Sequence, residues 1–305
     1  MSGSPTPFNE PIPIGEVAKP PFARLPDPSS LFAERASRFK ALAAGNDLGP
    51  YLLFLAELAL IQDGIQEGLP KPSWPPEDAV ARAVEFGMPP LDRNRFAADA
   101  AFTETLARLL ERLHAATLTP EAAAAHLRLE VADAPSREAM LRNLLSDSVP
   151  SDAFAEHALV AAALQVHFAR LAAALDAKRL KPVGDGACPA CGGPPVASLI
   201  VGWTGAHATR FCACALCGTL WNYVRVKCTL CGSTKGIAYH GISGDAGTIK
   251  AETCDSCRGY VKILYQHKDP ALDPVADDVA SLGLDLLVRE QGFRRGAFNP
   301  FLLGY

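Results

Sequence analysis

The sequence predicts a multidomain chain in which a mostly α N-terminal domain is followed by two small β-rich metal modules and a C-terminal helix. Two observations lead to this prediction. Residues 29–179 are rich in alanine and leucine, and their apolar members recur at intervals of three and four, as on one face of a helix. All nine cysteines lie between residues 188 and 257, and clustered cysteine pairs in a reducing compartment are typical of metal sites.

Composition excludes several classes of protein. With 305 residues, 49% of them hydrophobic, the chain has room for about two domains and is too apolar to be disordered throughout. Its formal net charge of -4 gives no overall indication that it binds nucleic acid or an anionic membrane. No run of about 18 apolar residues is present, so no transmembrane span is predicted. The first residues do not resemble a secretory signal, and we therefore expect a cytoplasmic protein.

Residues 1–27 form a proline-rich arm without helical or strand periodicity. Because proline fixes φ and removes a backbone donor, we expect an extended segment here rather than a helix. Terminal segments are usually poorly ordered unless other parts of the fold hold them. We therefore interpret the arm as a loosely docked tail.

Residues 28–180 are expected to form the all-α domain. Residues 51–61 are apolar on nearly every face, which predicts that their helix is the central one. Thr119 precedes Pro120 at the start of another helix, as the N-cap and the first helical residue. The Gly/Pro-rich stretch 181–186 ends the domain and is the predicted linker.

The helical domain offers no catalytic constellation. Its histidines lack convergent partners, so we interpret all of them as structural: His114, His126, His157 and His167. The chain contains no Ser-His-Asp order, glycine-rich phosphate loop or His-Glu-x-x-His motif. The sequence therefore predicts a protein that is not an enzyme, with no catalytic or cofactor-binding residue to name.

Eight of the nine cysteines form four Cys-x-x-Cys pairs that repeat at an offset of 40 residues. The offset places Cys188, Cys191, Cys214 and Cys217 on Cys228, Cys231, Cys254 and Cys257. Each copy then continues into a β-rich run, residues 220–226 in the first and 259–265 in the second. We therefore predict two modules of one design, residues 181–226 and 227–268.

The spacing of each pair has a chemical reason. Two residues between the cysteines allow one tight turn, or knuckle, to direct both sulfurs at one ion while its backbone N–H groups point at those sulfurs. Gly192 and Gly232 follow the second cysteine of a pair, where the chain can turn back with positive φ. Two knuckles supply four thiolates in a tetrahedron, which suits zinc or a single iron. A module of about forty residues buries too little apolar surface to fold alone, so the metal contributes to its folding.

The repeat also separates the candidate ligands from the other residues of the region. It favours knuckles that pair in order along the chain, although crosswise pairing stays possible. Cys212 falls opposite Glu252 of the second copy, so we leave it out of the ligand set. His207 and His240 likewise lack a counterpart and are not predicted ligands.

Local charge argues against nucleic acid as a partner. Residues 181–268 carry nine basic and four acidic side chains, a formal charge of +5. Two tetrathiolate sites with divalent metal would nearly cancel this charge. A nucleic-acid-binding surface needs surplus basic charge along one face, and little surplus is left.

Residues 269–305 contain the last predicted helix and a tail. Asp273 is the predicted N-cap, with Pro274 at the first helical position, and the apolar stripe ends at Gly292. We expect this helix and the apolar tail 298–303 to pack back on the body of the protein.

Taken together, these features resemble the FdhE family of formate dehydrogenase accessory proteins. The resemblance lies in the all-helical first half and in five later motifs: Cys-Pro-Ala-Cys-Gly, Arg-Val-Lys-Cys-Thr-Leu-Cys-Gly, Ile-Lys-Ala-Glu-Thr-Cys-Asp-Ser-Cys, Tyr-Val-Lys-Ile-Leu-Tyr and Asp-Pro-Val-Ala-Asp-Asp-Val-Ala-Ser-Leu. It is strong from residue 188 to about residue 302 and architectural before that.

The resemblance implies a fold, a metal and a partner. Each module would be rubredoxin-like, or zinc-ribbon-like, with one iron bound by four cysteines. One site would then be Cys188, Cys191, Cys214 and Cys217, and the other Cys228, Cys231, Cys254 and Cys257. The protein would be a cytoplasmic chaperone, or maturation factor, that engages the catalytic subunit of respiratory formate dehydrogenase and is not itself the dehydrogenase.

Two other functions stay open from the residues alone. A pair of four-cysteine iron sites could transfer electrons, as in a rubredoxin-like protein, whereas zinc has no redox chemistry. A zinc-ribbon protein that binds nucleic acid is the second alternative. The sequence does not distinguish iron from zinc, since both accept four thiolates in a tetrahedron.

Overall fold

The computed structural model describes residues 20–304, so most of the proline-rich arm lies outside the described residues. The first half of the described chain is helical, as predicted. A short 3-10 helix, Arg93–Arg95, lies between the third and fourth α-helices. The α-helices of this half are α1 (Pro28–Leu42), α2 (Gly49–Gly64), α3 (Glu77–Glu85), α4 (Ala100–Leu113), α5 (Pro120–Val131), α6 (Ala134–Leu145) and α7 (Phe154–Ala173).

Short polar side chains begin four of these helices. Asp27, Asp99, Thr119 and Asp133 each accept a hydrogen bond from a backbone N–H of the first turn. These bonds satisfy donors that a helix leaves free at its start. The predicted cap at Thr119 is confirmed, because its Oγ1 accepts from the Ala122 N–H at 3.2 Å.

Helix α7, and not α2, is the centre of the helical domain. It contacts α1, α2, α4, α5 and α6, and its side chains are buried on nearly every face. The prediction that residues 51–61 form the central helix is wrong, because Leu53 and Leu60 of α2 are 52% and 54% exposed. The sequence did not indicate the central position of α7, because several of the residues that this helix buries are polar. One of them, Gln165, has hydrogen-bond partners inside the core.

The second half contains one continuous β-sheet and two short helices. Its elements are β2 (Pro195–Ile200), β3 (Arg210–Cys214), β4 (Leu220–Asn222), β5 (Ile237–His240), β6 (Ile249–Cys254), β7 (Gly259–Leu264), α8 (Ala276–Ala280), α9 (Leu282–Glu290) and β8 (Arg294–Arg295), joined by β1 (Ala23–Arg24) from the arm. Among the described residues the strand order is β1-β4-β3-β2-β7-β6-β5, with β8 beside β7. The predicted fold class is confirmed.

The 40-residue repeat is visible in this sheet. Strands β2, β3 and β4 of the first copy correspond to β5, β6 and β7 of the second, and neighbours within each copy are antiparallel. The copies join where β2 runs parallel to β7, with Ser198 opposite Ile263. At the far edge β1 pairs with β4, so the described end of the arm contributes a short strand to the sheet.

The predicted C-terminal helix is divided into α8 and α9 at Ser281. Asp273, the predicted N-cap, lies three residues before α8, whose N-cap is Val275; its Oδ1 accepts from the N–H groups of Val275 and Ala276 in the turn that leads into the helix. At the division, Lys262 of β7 donates its ammonium hydrogens to the carbonyls of Asp278 and Ser281. The backbone carbonyls at the junction therefore accept hydrogen bonds from a strand instead of from the next turn of a helix.

None of the helices in the described part of the chain is long and apolar enough to cross a membrane.

One hydrophobic core extends from the helical domain into the first copy of the repeat. Phe39 and Phe168 from the helices belong to the same buried cluster as Val196 and Phe211 from the sheet. A smaller core, between the second copy and α9, contains Ala251, Tyr260, Leu284, Val288 and Phe293. The two copies of one sequence module therefore lie in different surroundings.

Candidate metal centre

The eight predicted ligands lie on four tight turns, one for each Cys-x-x-Cys pair. In every turn, the backbone N–H four residues after the first cysteine donates to the carbonyl of that cysteine, and the donating residue has positive φ. The donor and acceptor pairs are Gly192 to Cys188, Gly218 to Cys214, Gly232 to Cys228 and Arg258 to Cys254. The role predicted for Gly192 and Gly232 is therefore confirmed.

The structure brings the knuckles together in order along the chain. In the first cluster, defined as Cys188, Cys191, Cys214 and Cys217, the Sγ atoms of Cys188 and Cys217 are 3.6 Å apart. Those of Cys191 and Cys214 are 3.5 Å apart. All four sulfurs lie within 4.8 Å of one another.

The second cluster, defined as Cys228, Cys231, Cys254 and Cys257, has the same arrangement. The Sγ atoms of Cys228 and Cys257 are 3.8 Å apart, and those of Cys231 and Cys254 are 3.7 Å apart. All four sulfurs again lie within 4.8 Å of one another. The order favoured by the sequence repeat is thus the order in which the cysteines meet.

The spacing of the sulfurs suits a tetrahedral metal ion. A metal–sulfur bond of about 2.3 Å gives a tetrahedron with edges of about 3.8 Å, close to the four sulfur distances in the two clusters. Backbone N–H groups also point at sulfurs: Cys217 donates to Cys214 Sγ at 3.5 Å and Leu230 donates to Cys228 Sγ at 3.4 Å. Such donors stabilise thiolates, the form that binds metal. The donor set fits zinc or a single iron equally.

Burial makes the thiolate charges depend on a nearby cation. It raises the pKa of the Cys188 thiol well above its usual value and raises the pKa of Cys228 to about 12. For Cys254 burial acts in the same direction, but hydrogen bonds from the N–H groups of Cys257 and Ser256 and from neighbouring thiols of the cluster together outweigh it and lower the pKa to about 7. Four thiolates held this closely repel one another, and a bound cation removes that repulsion.

The first cluster is enclosed by the helical domain. The Arg93 N–H donates to the carbonyl of Cys191 at 3.0 Å. From α7, Gln165 Nε2 donates to the carbonyl of Ala215 at 2.8 Å. The four cysteines are at most 3% exposed. Residues distant in sequence therefore hold both knuckles of the first cluster and exclude water from it.

Arg93 is a contributor to this site that the sequence analysis missed. Asp147 holds its guanidinium, with Nη1 donating to Oδ1 at 3.0 Å, and the cation interacts electrostatically with Cys191 and Cys214. Although burial opposes it, the Asp147 carboxylate raises the pKa of Arg93. The positive charge offsets part of the thiolate charge. No motif surrounds Arg93, so nothing in the sequence indicated its role.

The second cluster is open to solvent on one side. Cys231 is exposed and Cys257 is half-buried. The knuckle that carries Cys231 is positioned by Leu230, whose side chain lies against Gly259 and Gly296. A Cβ at those glycines would lie 2.5 Å and 2.2 Å from Leu230 Cδ1. The two clusters therefore share internal geometry and differ in what covers them.

The residues left out of the ligand set lie outside both clusters. Cys212 is buried on β3, with its Sγ 3.8 Å from Ser198 Oγ. His240 Nε2 lies 3.0 Å from Thr253 Oγ1, and the His207 ring lies edge-on to that of His267. Their exclusion agrees with the geometry.

A third group of potential metal ligands lies between α4 and α5, where His114, His126 and Glu130 approach one another. His126 Nε2 is 2.9 Å from the carbonyl oxygen of Leu110. A carbonyl only accepts, so this nitrogen carries the hydrogen and caps the last turn of α4. The nitrogen is therefore occupied, which supports the structural interpretation of this histidine.

The amino-acid sequence matches three family models that together cover most of the chain. The model described as "FdhE, N-terminal" matches residues 20–185, "FdhE, central domain" matches residues 187–225, and "FdhE, C-terminal domain" matches residues 226–302.

Two curated relatives and one solved structure are similar along nearly their whole length. A protein FdhE homolog of Rhizobium meliloti (strain 1021) is 48% identical over 298 residues, which cover 97% of each chain. One from Cronobacter sakazakii (strain ATCC BAA-894) is 36% identical over 287 residues, covering 92% of this chain and 90% of the relative. The crystal structure of the FdhE protein from Pseudomonas aeruginosa superposes with a TM-score of 0.83 at 33% identity, covering 93% of this chain and 99% of that one.

Proposed function

The chain belongs to the FdhE family, and we propose that it is an accessory and maturation factor for formate dehydrogenase. In this proposal it binds the catalytic subunit of the respiratory enzyme in the cytoplasm and has no catalytic site of its own. The observation that carries the proposal is the similarity to FdhE proteins along nearly the whole chain, both in sequence and in fold.

We propose the two clusters as metal sites, with all eight of their cysteines as ligands. Iron is the proposed metal and zinc the alternative. A bound metal would cross-link two knuckles, and iron would in addition supply one-electron redox chemistry. In the first site Arg93 would offset thiolate charge, and the N–H groups of the knuckles would orient the sulfurs.

The donor set supports a binding role over catalysis. Metal sites that catalyse reactions keep a position open for water or substrate, whereas sites with four protein ligands are closed. Both clusters supply four sulfurs at tetrahedral spacing. We propose residues 28–180 as the helical domain. Residues 181–226 and 227–268 would be the two metal modules, which together form one sheet.

The test is direct binding between this protein and a purified catalytic subunit of respiratory formate dehydrogenase. Size-exclusion chromatography of the mixture, prepared without oxygen, should give a complex that elutes ahead of either component. An unrelated dehydrogenase subunit of similar size serves as the control and should give none. Absence of a complex with the formate dehydrogenase subunit, for the metal-loaded and for the metal-free protein, would overturn the proposal.

A further inference from the structure

The two clusters differ sharply in exposure, although the sequence repeat makes them equivalent. All cysteines of the first cluster are at most 3% exposed. In the second cluster Cys231 is exposed and Cys257 is half-buried. Cys231 is the counterpart of Cys191 at the 40-residue offset, and Cys191 has no exposed surface, at 0%. The same ligand position is thus closed in one copy and open in the other.

The difference arises from the helical domain. The first cluster is held by Arg93 and by Gln165 of α7 through hydrogen bonds to the carbonyls of Cys191 and Ala215. At the second cluster, Gly232 follows Cys231. It lies against Asp185 of the linker and not against a residue of the helical domain. A cavity of about 720 Å³ beside α1 reaches Cys214, but that cysteine is still only 3% exposed.

We infer that the second cluster is the site at which metal enters and leaves, and that the first cluster holds its metal permanently. Metal exchange proceeds through attack by an incoming ligand, and the shell around a site controls that access. The partner class is a donor or acceptor with thiolate or other soft chelating groups. The inference rests on the proposed function of the cysteines as metal ligands.

The exchange step is a ligand substitution without electron transfer. A sulfur or nitrogen of the acceptor forms a bond to the metal while the bond to Cys231 Sγ breaks. The released Cys231 thiolate takes up a proton from water, and the remaining ligands follow in the same way. Cys231 leaves first because it is the exposed ligand of the cluster.

The experiment is chelator competition with protein loaded with two zinc ions, which are redox-inert. An excess of 4-(2-pyridylazo)resorcinol reports released zinc by its absorbance. We expect two phases of equal amplitude, with rates that differ by at least about tenfold. A wild-type protein that binds two ions and releases both at one rate would overturn the inference and leave the ligand assignment standing. Binding of fewer than two ions would overturn the ligand assignment itself.

The matched variants Cys231→Ser and Cys191→Ser assign the phases. Cys231→Ser should retain one ion that leaves slowly, and Cys191→Ser should retain one ion that leaves rapidly. The opposite assignment would overturn the inference. In case Cys191→Ser fails to fold, Gln165→Leu leaves all eight cysteines in place and removes the hydrogen bond to Ala215, together with the one that Gln62 donates to Gln165 Oε1. It should accelerate the slow phase and leave the fast phase unchanged, and acceleration of the fast phase alone would also overturn the inference.

Discussion

Cys212 and Glu252 occupy equivalent positions in the two copies and perform unrelated tasks. Cys212 is a buried thiol beside Ser198, and burial raises its pKa to about 11. Glu252 instead accepts a hydrogen bond from Arg210 Nη2 at 2.8 Å. A residue that the two copies do not share is thus free to serve its own surroundings, whereas the eight cysteines that they do share lie together in the two clusters.

Arg258 makes the fourth knuckle different from the other three, because it holds a non-glycine residue at the position of positive φ. Three of the turns have glycine at the position of positive φ, but the fourth has Arg258 with φ 55°. This conformation costs about 1 kcal/mol for a residue with a Cβ. The guanidinium compensates by lying 3.9 Å from the ring centroid of Phe293 and by donating to the carbonyl of Gln291 at 2.9 Å.

His167 is a buried residue of α7 whose protonation opposes folding. It is 1% exposed and packs edge-on against Phe96 and Phe102. Burial lowers its pKa to about 4, compared with about 6.5 in an unfolded chain. The stability that this shift confers is complete above pH 6.5 and is lost as the pH falls towards 4.

From this shift we predict that acidification from pH 7 to pH 5 costs the wild-type protein about 2 kcal/mol of unfolding free energy through His167. In His167→Phe this part of the loss should disappear, because the ring no longer titrates. Denaturant titrations of both proteins at both pH values measure the difference. Acid effects on the cysteine clusters are common to both proteins, so an equal loss in both would contradict the prediction.

At the scale of elements, the sequence predicted the features that depend on nearby residues. It did not predict the features that depend on contacts between residues far apart in the chain. The cap at Thr119 and the knuckle glycines depend on residues a few positions away, so the sequence predicted them. The division between α8 and α9 depends on Lys262 of β7, which binds carbonyls at the junction. The place of Arg93 beside the first cluster depends on a similar distant contact. Such contacts have no signal in one sequence.

Gly186, in the linker between the helical domain and the first knuckle, has no room for a side chain. The φ of Gly186 is +66°, and a Cβ there would lie 1.8 Å from the carbonyl oxygen of Thr229, which belongs to the first knuckle of the second cluster. Gly45 has φ +72° with nothing within 4 Å of a Cβ. The two glycines share a backbone conformation and differ in the space around them.

We expect Gly45→Ala to cost about 1 kcal/mol, the penalty for a left-handed residue with a Cβ. Gly186→Ala should cost at least about twice as much, because it must also displace the backbone at Thr229. It should in addition weaken metal binding at the second cluster. Chemical denaturation and metal content of the two variants provide the comparison, and similar losses in both would argue against the steric account.

At the scale of the whole molecule, the two copies lie side by side in one sheet. The sequence predicted two copies, but it gave no indication that β2 would pair with β7 to join them. At the junction Arg210 binds Glu252 of the other copy and also donates to Ser198 Oγ. Both charged side chains are buried, at 0% and 3% exposure. This ion pair is therefore central to how the copies are held together.

Arg210→Met should destabilise the protein by about 3–5 kcal/mol, because it leaves the Glu252 carboxylate buried without its cation. The control is Arg142→Ala, which removes an exposed ion pair with Glu138 and should change stability by less than about 0.5 kcal/mol. Denaturation of the metal-loaded proteins gives both values. A loss below about 1 kcal/mol for Arg210→Met would show that the pair does not join the copies.

The central claim is that eight cysteines form two separate metal sites, paired in order along the chain. Native mass spectrometry of protein purified without oxygen counts the ions in each chain. We predict two ions for the wild-type protein and for Cys212→Ser. Cys188→Ser/Cys217→Ser, with both changes in the first cluster, should retain one ion. Cys188→Ser/Cys257→Ser, with one change in each cluster, should retain none. Loss of both ions from Cys188→Ser/Cys217→Ser would contradict the claim, because every crosswise pairing of the knuckles places these two cysteines in different sites.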